Sequence, residues 1–224
     1  MTEELTVNWD EVIDLRFKEI EAELFVVLQH VEAVERQLPQ IAESEGNRLG
    51  QELYGIDDEY EYREMESWIE EFVEQVVPRL YRSPLLVELW AVFESGIIEI
   101  ANYLQKQQGH SISVQDLQRS SNDFERADKY YGRVLRFPLI TVDDIKKRLK
   151  MLLLVRNAVA HGNGRIEVIR EEPLRQIRAW EKKFGEISTD GDYLSFTAAF
   201  VESMALAVKT SLEDLVRRVK ENTD

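Results

Sequence analysis

The sequence predicts an all-α fold, and three observations support this prediction. Apolar residues recur at steps of three and four along most of the chain, which is the spacing of one face of an α-helix. No stretch of strand length alternates apolar and polar residues. The 224 residues include only five prolines and ten glycines, and 44% are apolar, so the chain has the composition of a globular helical protein.

The N-terminal part of the chain predicts two long amphipathic helices. Between Asn8 and Leu38 the apolar positions follow helical spacing with Glu and Lys between them. Pro39 is a position where this helix can kink or restart, and a second helical stretch runs from Ile41 to Tyr54. The acidic segment from Asp57 to Tyr62 is expected to be a loop.

The central part predicts a buried helix. A helical stretch at residues 68–77 is expected to end at Pro78 or at the Ser83–Pro84 step. A new helix starts there, with Ser83 as its cap, and residues 85–103 are apolar nearly all round, which indicates a central element. Residues 105–113 are expected to form a loop, and 113–117 and 124–134 two short helices.

The next predicted helix begins near Thr141, because the run Thr141–Asp144 has the Thr-x-x-acid pattern of a capping box. Apolar residues follow it at helical spacing, so we expect this helix to run to about His161. Gly162 and Gly164 can adopt left-handed backbone angles and end it. The last two helices are predicted at residues 173–184 and 193–220.

The charge is distributed unevenly along the chain. The net charge of −15 argues at first against a polyanionic partner, but residues 1–80 carry −16 and residues 81–224 carry +1. Residues 129–183 carry +8, so a polyanion could bind there. We therefore divide the chain into an acidic helical region, 1–82, and a helical bundle, 83–224, which together form one compact unit.

Several classes of site are not expected. The chain contains no cysteine, which excludes disulfides, thiolate nucleophiles and cysteine-ligated zinc or iron. His30 and His110 have no second ligand at metal spacing, so no metal site and no cofactor are expected. We expect a cytoplasmic protein without contact to a membrane, since the first residues lack a signal-peptide pattern and no apolar run has membrane-spanning length.

One group of residues has side chains that could bind a ligand or take part in a reaction. Arg156 continues the apolar series Ile145, Leu149 and Leu152, so a guanidinium occupies a core position, which is costly unless it is paired. Glu94, on the apolar central helix, is the best candidate for its partner. Asn157 and His161 are four residues apart and share a helix face adjoining Arg156. An arginine, an amide and an imidazole therefore converge at the end of a helix.

The run from Arg156 to Gly162, Arg-Asn-Ala-Val-Ala-His-Gly, resembles the Arg-x4–6-His signature of HEPN domains, in which a polar residue directly follows the arginine. The resemblance covers about residues 83–215 and includes Glu94, since several family members carry an acidic residue on the preceding apolar helix. It implies a HEPN-like helical bundle, here with long amphipathic helices before it.

The resemblance implies a metal-independent endoribonuclease. His161 would be the general acid and base, Arg156 would hold the scissile phosphate, and Asn157 would orient them, with Glu94 in support. The RNA 2′-hydroxyl would attack and leave a 2′,3′-cyclic phosphate. Basic residues around the motif would bind RNA: Lys146, Lys147, Lys150 and Arg165. The resemblance also implies a homodimer with facing motifs and a toxin or defence role, with an antitoxin or another basic partner for the acidic region.

Two other interpretations stay open. The chain could be a HEPN-type nucleotide-binding, RNA-binding or protein-interaction module without catalysis, which the overall acidity favours. It could also be a structural helical protein whose acidic half contacts a basic partner. Each residue also has a purely structural interpretation: Arg156 as a buried arginine paired with a core carboxylate, which does not exclude function, and His161 as a histidine favoured at a helix C-terminus.

Overall fold

The structure is a computed structural model that describes residues 16–117 and 123–223. Its helices confirm the all-α prediction: α1 (Lys18–Gly50), α2 (Glu59–Glu71), α3 (Val77–Gln108), α4 (Asp123–Tyr130), α5 (Asp143–Gly162), α6 (Glu171–Phe184) and α7 (Ala198–Thr223). A hairpin of two-residue strands, β1 (Ile187–Ser188) and β2 (Ser195–Phe196), precedes α7. None of the helices in these ranges combines the length and apolar composition needed to cross a membrane.

Helix α3 lies at the centre of the fold, as its nearly all-round apolar sequence predicts. Helices α1, α5 and α7 pack against it. Trp90 and Phe93 of α3 are fully buried and meet Phe124 of α4, with ring centroids 5.5 to 5.9 Å apart. Each fully buried side chain of this size stabilises the fold by roughly 1.5–3 kcal/mol. Buried residues of α1 belong to the same core.

The expected interruption at Pro39 is wrong, because α1 continues through it. A proline inside a helix removes one hydrogen bond and costs about 3 kcal/mol. Buried side chains on both sides of it, Val31 and Leu38 before and Leu49 after, hold the helix together across this position. The part of the predicted helix before Arg16 lies outside the described residues.

The acidic loop expected from Asp57 to Tyr62 is wrong beyond Asp58, because α2 begins at Glu59. The carboxylate of Asp58 accepts hydrogen bonds from the backbone N–H groups of Tyr60 and Glu61, both at 2.9 Å. These are two of the donors that a helix leaves without intrahelical partners at its N-terminus. The acidic residues of this segment therefore suit the positive end of the α2 dipole.

The expected break at Ser83–Pro84 is also wrong. Pro84 lies inside α3, and Ser83 is buried in the helix instead of capping it. The chain passes from α2 to α3 through a π-helical turn, Phe72–Val76, and Pro78 occupies the first turn of α3. Residue 82, the predicted limit of the acidic region, therefore lies within a continuous helix.

Three further helix boundaries differ from the prediction. Thr141 does not form a capping box, because its hydroxyl bonds to Asp214 of α7 at 3.2 Å while Asp144 accepts from Lys147 at 3.0 Å. Helix α7 begins at Ala198 instead of Tyr193, since the residues before it form the hairpin, in which Ile187 pairs with Phe196. The helix expected at 124–134 is α4 followed by a π-helical turn, Tyr131–Leu135.

Candidate active site

Helix α5 ends in a left-handed turn. Asn163 has φ of 51° and Gly164 has φ of 74°. The N–H of Asn163 donates to the carbonyl of Val159 at 2.8 Å, which is the bond of an αL helix cap, and the N–H of Gly164 donates to the carbonyl of Ala158 at 3.0 Å. The left-handed angle expected at Gly164 is confirmed. The one expected at Gly162 is wrong, since Gly162 is the last residue of the helix.

Gly162 is needed for a different reason. A Cβ atom at this position would lie 2.4 Å from Cγ2 of Val168, well inside the contact distance of two carbon atoms. Only glycine therefore lets residues 163–170 fold back this closely over the end of α5. This reversal brings Ile169, Arg170 and the start of α6 alongside the last two turns of α5.

The reversal encloses a groove of about 440 Å³. One wall consists of residues on a single face of α5, and the other consists of residues 168–173, which fold back over the end of that helix. The lining residues are Leu154, Asn157, Ala158, His161, Gly162, Val168, Ile169, Arg170 and Pro173. Asn157, His161 and Arg170 supply polar side chains to an otherwise apolar surface, which is the usual character of a small-molecule or substrate site.

The structure brings Asn157 and His161 together in this groove, as their spacing predicts. His161 is exposed, so its imidazole is accessible to a bound molecule. Arg156 does not line the groove, because residues 156 and 161 point about 140° apart around the helix. Arg156 is joined to the groove through Asn157, whose Oδ1 accepts a hydrogen bond from Nη1 of Arg156 at 3.0 Å.

Arg156 is half-buried, and its Nε is enclosed without a hydrogen-bond partner among the described residues. The bond to Asn157 therefore compensates only part of the cost of burying the guanidinium. Glu94 is half-buried on α3, and its expected role as the carboxylate that fixes Arg156 stays a prediction.

The predicted RNA-binding lysines lie away from the groove. Lys146 pairs with Asp128 at 2.8 Å and Lys147 with Asp144 at 3.0 Å, and the hydrogen bond that Lys147 donates to Asp144 raises the pKa of Lys147. Lys150 is exposed and has no ion pair within the described ranges, but it lies about 16 Å from His161 along the helix. Their part in binding RNA stays a prediction.

Two arginines flank the end of α5 on the side of the hairpin. Arg165 is exposed and bonds to Glu167 and to the hydroxyl of Tyr193, each at 3.2 Å. Arg79 of α3 is buried and stacks on the ring of Tyr193, 4.0 Å from its centroid, with Nη1 at 3.5 Å from the carbonyl of Asn163. These contacts hold the left-handed turn in place, since cations suit the last carbonyls of a helix.

Arg170 is the groove residue that the sequence did not indicate. It is exposed and has no ion pair in the part of the chain that the structure describes. It belongs to the basic stretch 129–183, but the Arg-x4-His pattern does not include it. Its position depends on the fold-back of residues 163–170, which no local pattern encodes.

Within residues 16–117 and 123–223, no three His, Asp or Glu side chains form a group that could hold a metal ion. Comparison with models of known protein families, with curated proteins and with solved structures found no match.

Proposed function

We propose that the groove at the end of α5 binds RNA and that the protein is a metal-independent endoribonuclease of the HEPN type. One observation carries this proposal. Asn157 and the exposed His161 line the same groove, and Arg156 is hydrogen-bonded to Asn157. The groove therefore holds an amide and an imidazole side by side, and a guanidinium lies next to the amide.

In the proposed reaction, His161 takes the proton of the RNA 2′-hydroxyl. The 2′-oxygen attacks the adjacent phosphorus, the bond from phosphorus to the 5′-oxygen breaks, and this oxygen leaves as a hydroxyl after it gains a proton. The products are a 2′,3′-cyclic phosphate and a 5′-hydroxyl. A second imidazole, from the facing motif of another copy, would supply that proton.

Asn157 and Arg170 would hold the phosphate. Because Oδ1 of Asn157 accepts from Arg156, the orientation of the amide is fixed and its NH2 group is left to donate to a ligand. Arg170 places a guanidinium at the groove, where it can stabilise the additional negative charge of the transition state. Arg156 would reach the phosphate only in a homodimer with facing motifs, which would make the site composite.

A toxin or defence role would follow from unrestricted RNA cleavage. A cognate antitoxin or another basic partner would then bind the acidic region at residues 1–80, which carries −16. Expression of the wild type in a bacterial host would stop growth, whereas the His161→Ala variant would be harmless.

The second candidate is a HEPN-type RNA-binding or protein-interaction module without catalysis. The position of Arg156 favours it, because a single chain does not present this guanidinium in the groove. The acidic residues 1–80 favour the protein-interaction form of this module, since their charge of −16 repels a polyanion.

Parallel binding and cleavage assays on end-labelled single-stranded RNA separate the two candidates. The nuclease proposal expects cleavage by the wild type and none by Arg156→Ala. Retained binding with no cleavage by either protein would support the module. If the folded wild type neither binds nor cleaves RNA, the nuclease proposal and the RNA-binding form of the module are both contradicted.

A further inference from the structure

The face shared by α1 and α7 carries a second, larger groove on the protein surface. Its volume is about 720 Å³, and two large apolar side chains stand exposed on its walls. Phe25 of α1 is 64% exposed and Leu206 of α7 is 63% exposed. Apolar side chains grouped at a surface groove mark an interaction site more often than isolated ones do. We call this groove, with its walls, the α1/α7 face.

The charges on the α7 side of this face are arranged symmetrically. Glu202, Ala205, Leu206 and Lys209 line the groove and lie at positions i, i+3, i+4 and i+7, so they form one stripe along the helix. Glu202 and Lys209 are exposed, and neither forms an ion pair with another described residue. An unpaired acid and an unpaired base therefore lie equally far from the midpoint between Ala205 and Leu206.

We propose that the α1/α7 face binds a second copy of this chain about a two-fold axis near Ala205 and Leu206. In this arrangement α7 packs antiparallel to α7 of the other copy. Glu202 then faces Lys209 of the second copy, and the reverse pair forms by symmetry. Leu206 packs beside the small Ala205 of the second copy, above the groove that Phe25 borders. A stripe whose charges become complementary on two-fold rotation fits its own copy better than it fits an unrelated helix.

This pairing is independent of the proposed function. The N-terminus of α7 lies beside the end of its own α5, since the N–H of Leu194 donates to the carbonyl of Gly164 at 2.8 Å. The axis crosses α7 about 11 Å from Ala198, so the two helix starts lie about 22 Å apart along the helix direction. The α1/α7 dimer therefore keeps the two α5 grooves apart and differs from a dimer with facing motifs.

Charge exchange tests the proposal in the full-length protein by sedimentation equilibrium. The wild type is expected to dimerise. Glu202→Lys alone and Lys209→Glu alone each place like charges opposite one another twice, so each should raise the dimer dissociation constant roughly tenfold or more. The double variant Glu202→Lys with Lys209→Glu restores both pairs and should restore the wild-type constant.

Two further variants complete the test. Leu206→Glu should abolish the dimer, and Arg178→Glu, a charge reversal at an exposed position of α6 outside this groove, should leave it unchanged. All five variants change only exposed residues, and circular dichroism verifies that their helices persist. A monomeric wild type would overturn the proposal. A dimer that the single charge reversals and Leu206→Glu leave intact would also overturn it.

Discussion

Nη1 of Arg156 donates a hydrogen bond to Oδ1 of Asn157 at 3.0 Å, so two consecutive residues of α5 act as one unit although they point in different directions. Asn157 faces the groove with His161, whereas Arg156 is half-buried beside it. The bond fixes which end of the Asn157 amide is presented to a ligand, and it gives the enclosed guanidinium an acceptor.

Two substitutions at Asn157 separate these two effects. Asn157→Asp keeps an acceptor for Arg156 but removes the amide donors, so stability should be retained while RNA cleavage is lost. Asn157→Leu also removes the acceptor, and leaving a buried guanidinium without it should lower the free energy of unfolding by about 1–3 kcal/mol. Urea unfolding and a cleavage assay check the pair. Equal stability of the two variants would show that the hydrogen bond does not matter to the fold.

Arg170 should contribute more to RNA affinity than the basic residues outside the groove. Removing one phosphate contact lowers the slope of log affinity against log salt concentration by about 0.7 for single-stranded RNA. We expect this change for Arg170→Ala in a filter-binding titration with salt. Arg165→Ala and Lys150→Ala are matched controls, because both residues are exposed cations away from the groove. A larger change of this slope for Arg165→Ala or Lys150→Ala would show that RNA binds outside the groove.

Because Gly162 and Val168 lie so close together, substitutions at the two positions should have non-additive effects on the free energy of unfolding. Gly162→Ala places a Cβ 2.4 Å from Cγ2 of Val168 and should displace residues 163–170. Val168→Ala removes Cγ2 of residue 168. In that background, Gly162→Ala should therefore lower the free energy of unfolding by about 1 kcal/mol less than it does in the wild type. Chemical unfolding of the four proteins measures this difference. If the two substitutions change the free energy of unfolding additively, residues 163–170 accommodate the added Cβ without loss of stability.

Asp214 should make stability depend on pH in the acid range. Burial raises the pKa of Asp214, but hydrogen bonds from Arg217 and Arg218 outweigh it and hold the pKa below its usual value. A lowered folded-state pKa stabilises the fold above the unfolded pKa, and this contribution is lost as the pH falls through the folded pKa.

Asp214→Asn should therefore lower the free energy of unfolding by about 1–2 kcal/mol at neutral pH. The difference from the wild type should shrink as the pH falls below about 4. Thermal unfolding across this range measures it, with Glu213→Gln as the control at an exposed neighbour. A difference that does not change with pH would exclude the carboxylate charge as its cause.

Helical spacing predicted where most helices lie but not where they are interrupted. Pro39 and Pro84 read as breaks, yet both lie inside helices that tertiary packing holds together. The capping box at Thr141 failed because its hydroxyl bonds to Asp214, 73 residues away in the chain. Such competition between local and distant partners is not visible in a local pattern. The hairpin was missed because two-residue strands are too short to show alternation.

The candidate site was predictable to the extent that it lies on one helix. Asn157 and His161 are four residues apart, and this spacing alone places them on one wall of the groove. The opposite wall depends on the fold-back over Gly162, so Arg170 could not be found from spacing. Periodicity predicted a core position for Arg156, and the structure instead shows a half-buried side chain whose Nε is enclosed.

The most direct test of the account is the chemistry of the RNA ends produced in the presence of EDTA. Single-stranded RNA and total tRNA would be incubated with the wild type, with His161→Ala and with His110→Ala, a matched histidine far from the motif in sequence. The account predicts fragments with 2′,3′-cyclic phosphate and 5′-hydroxyl ends from the wild type and from His110→Ala, and none from His161→Ala. Intact RNA with all three folded proteins, or equal cleavage by His161→Ala, would contradict it.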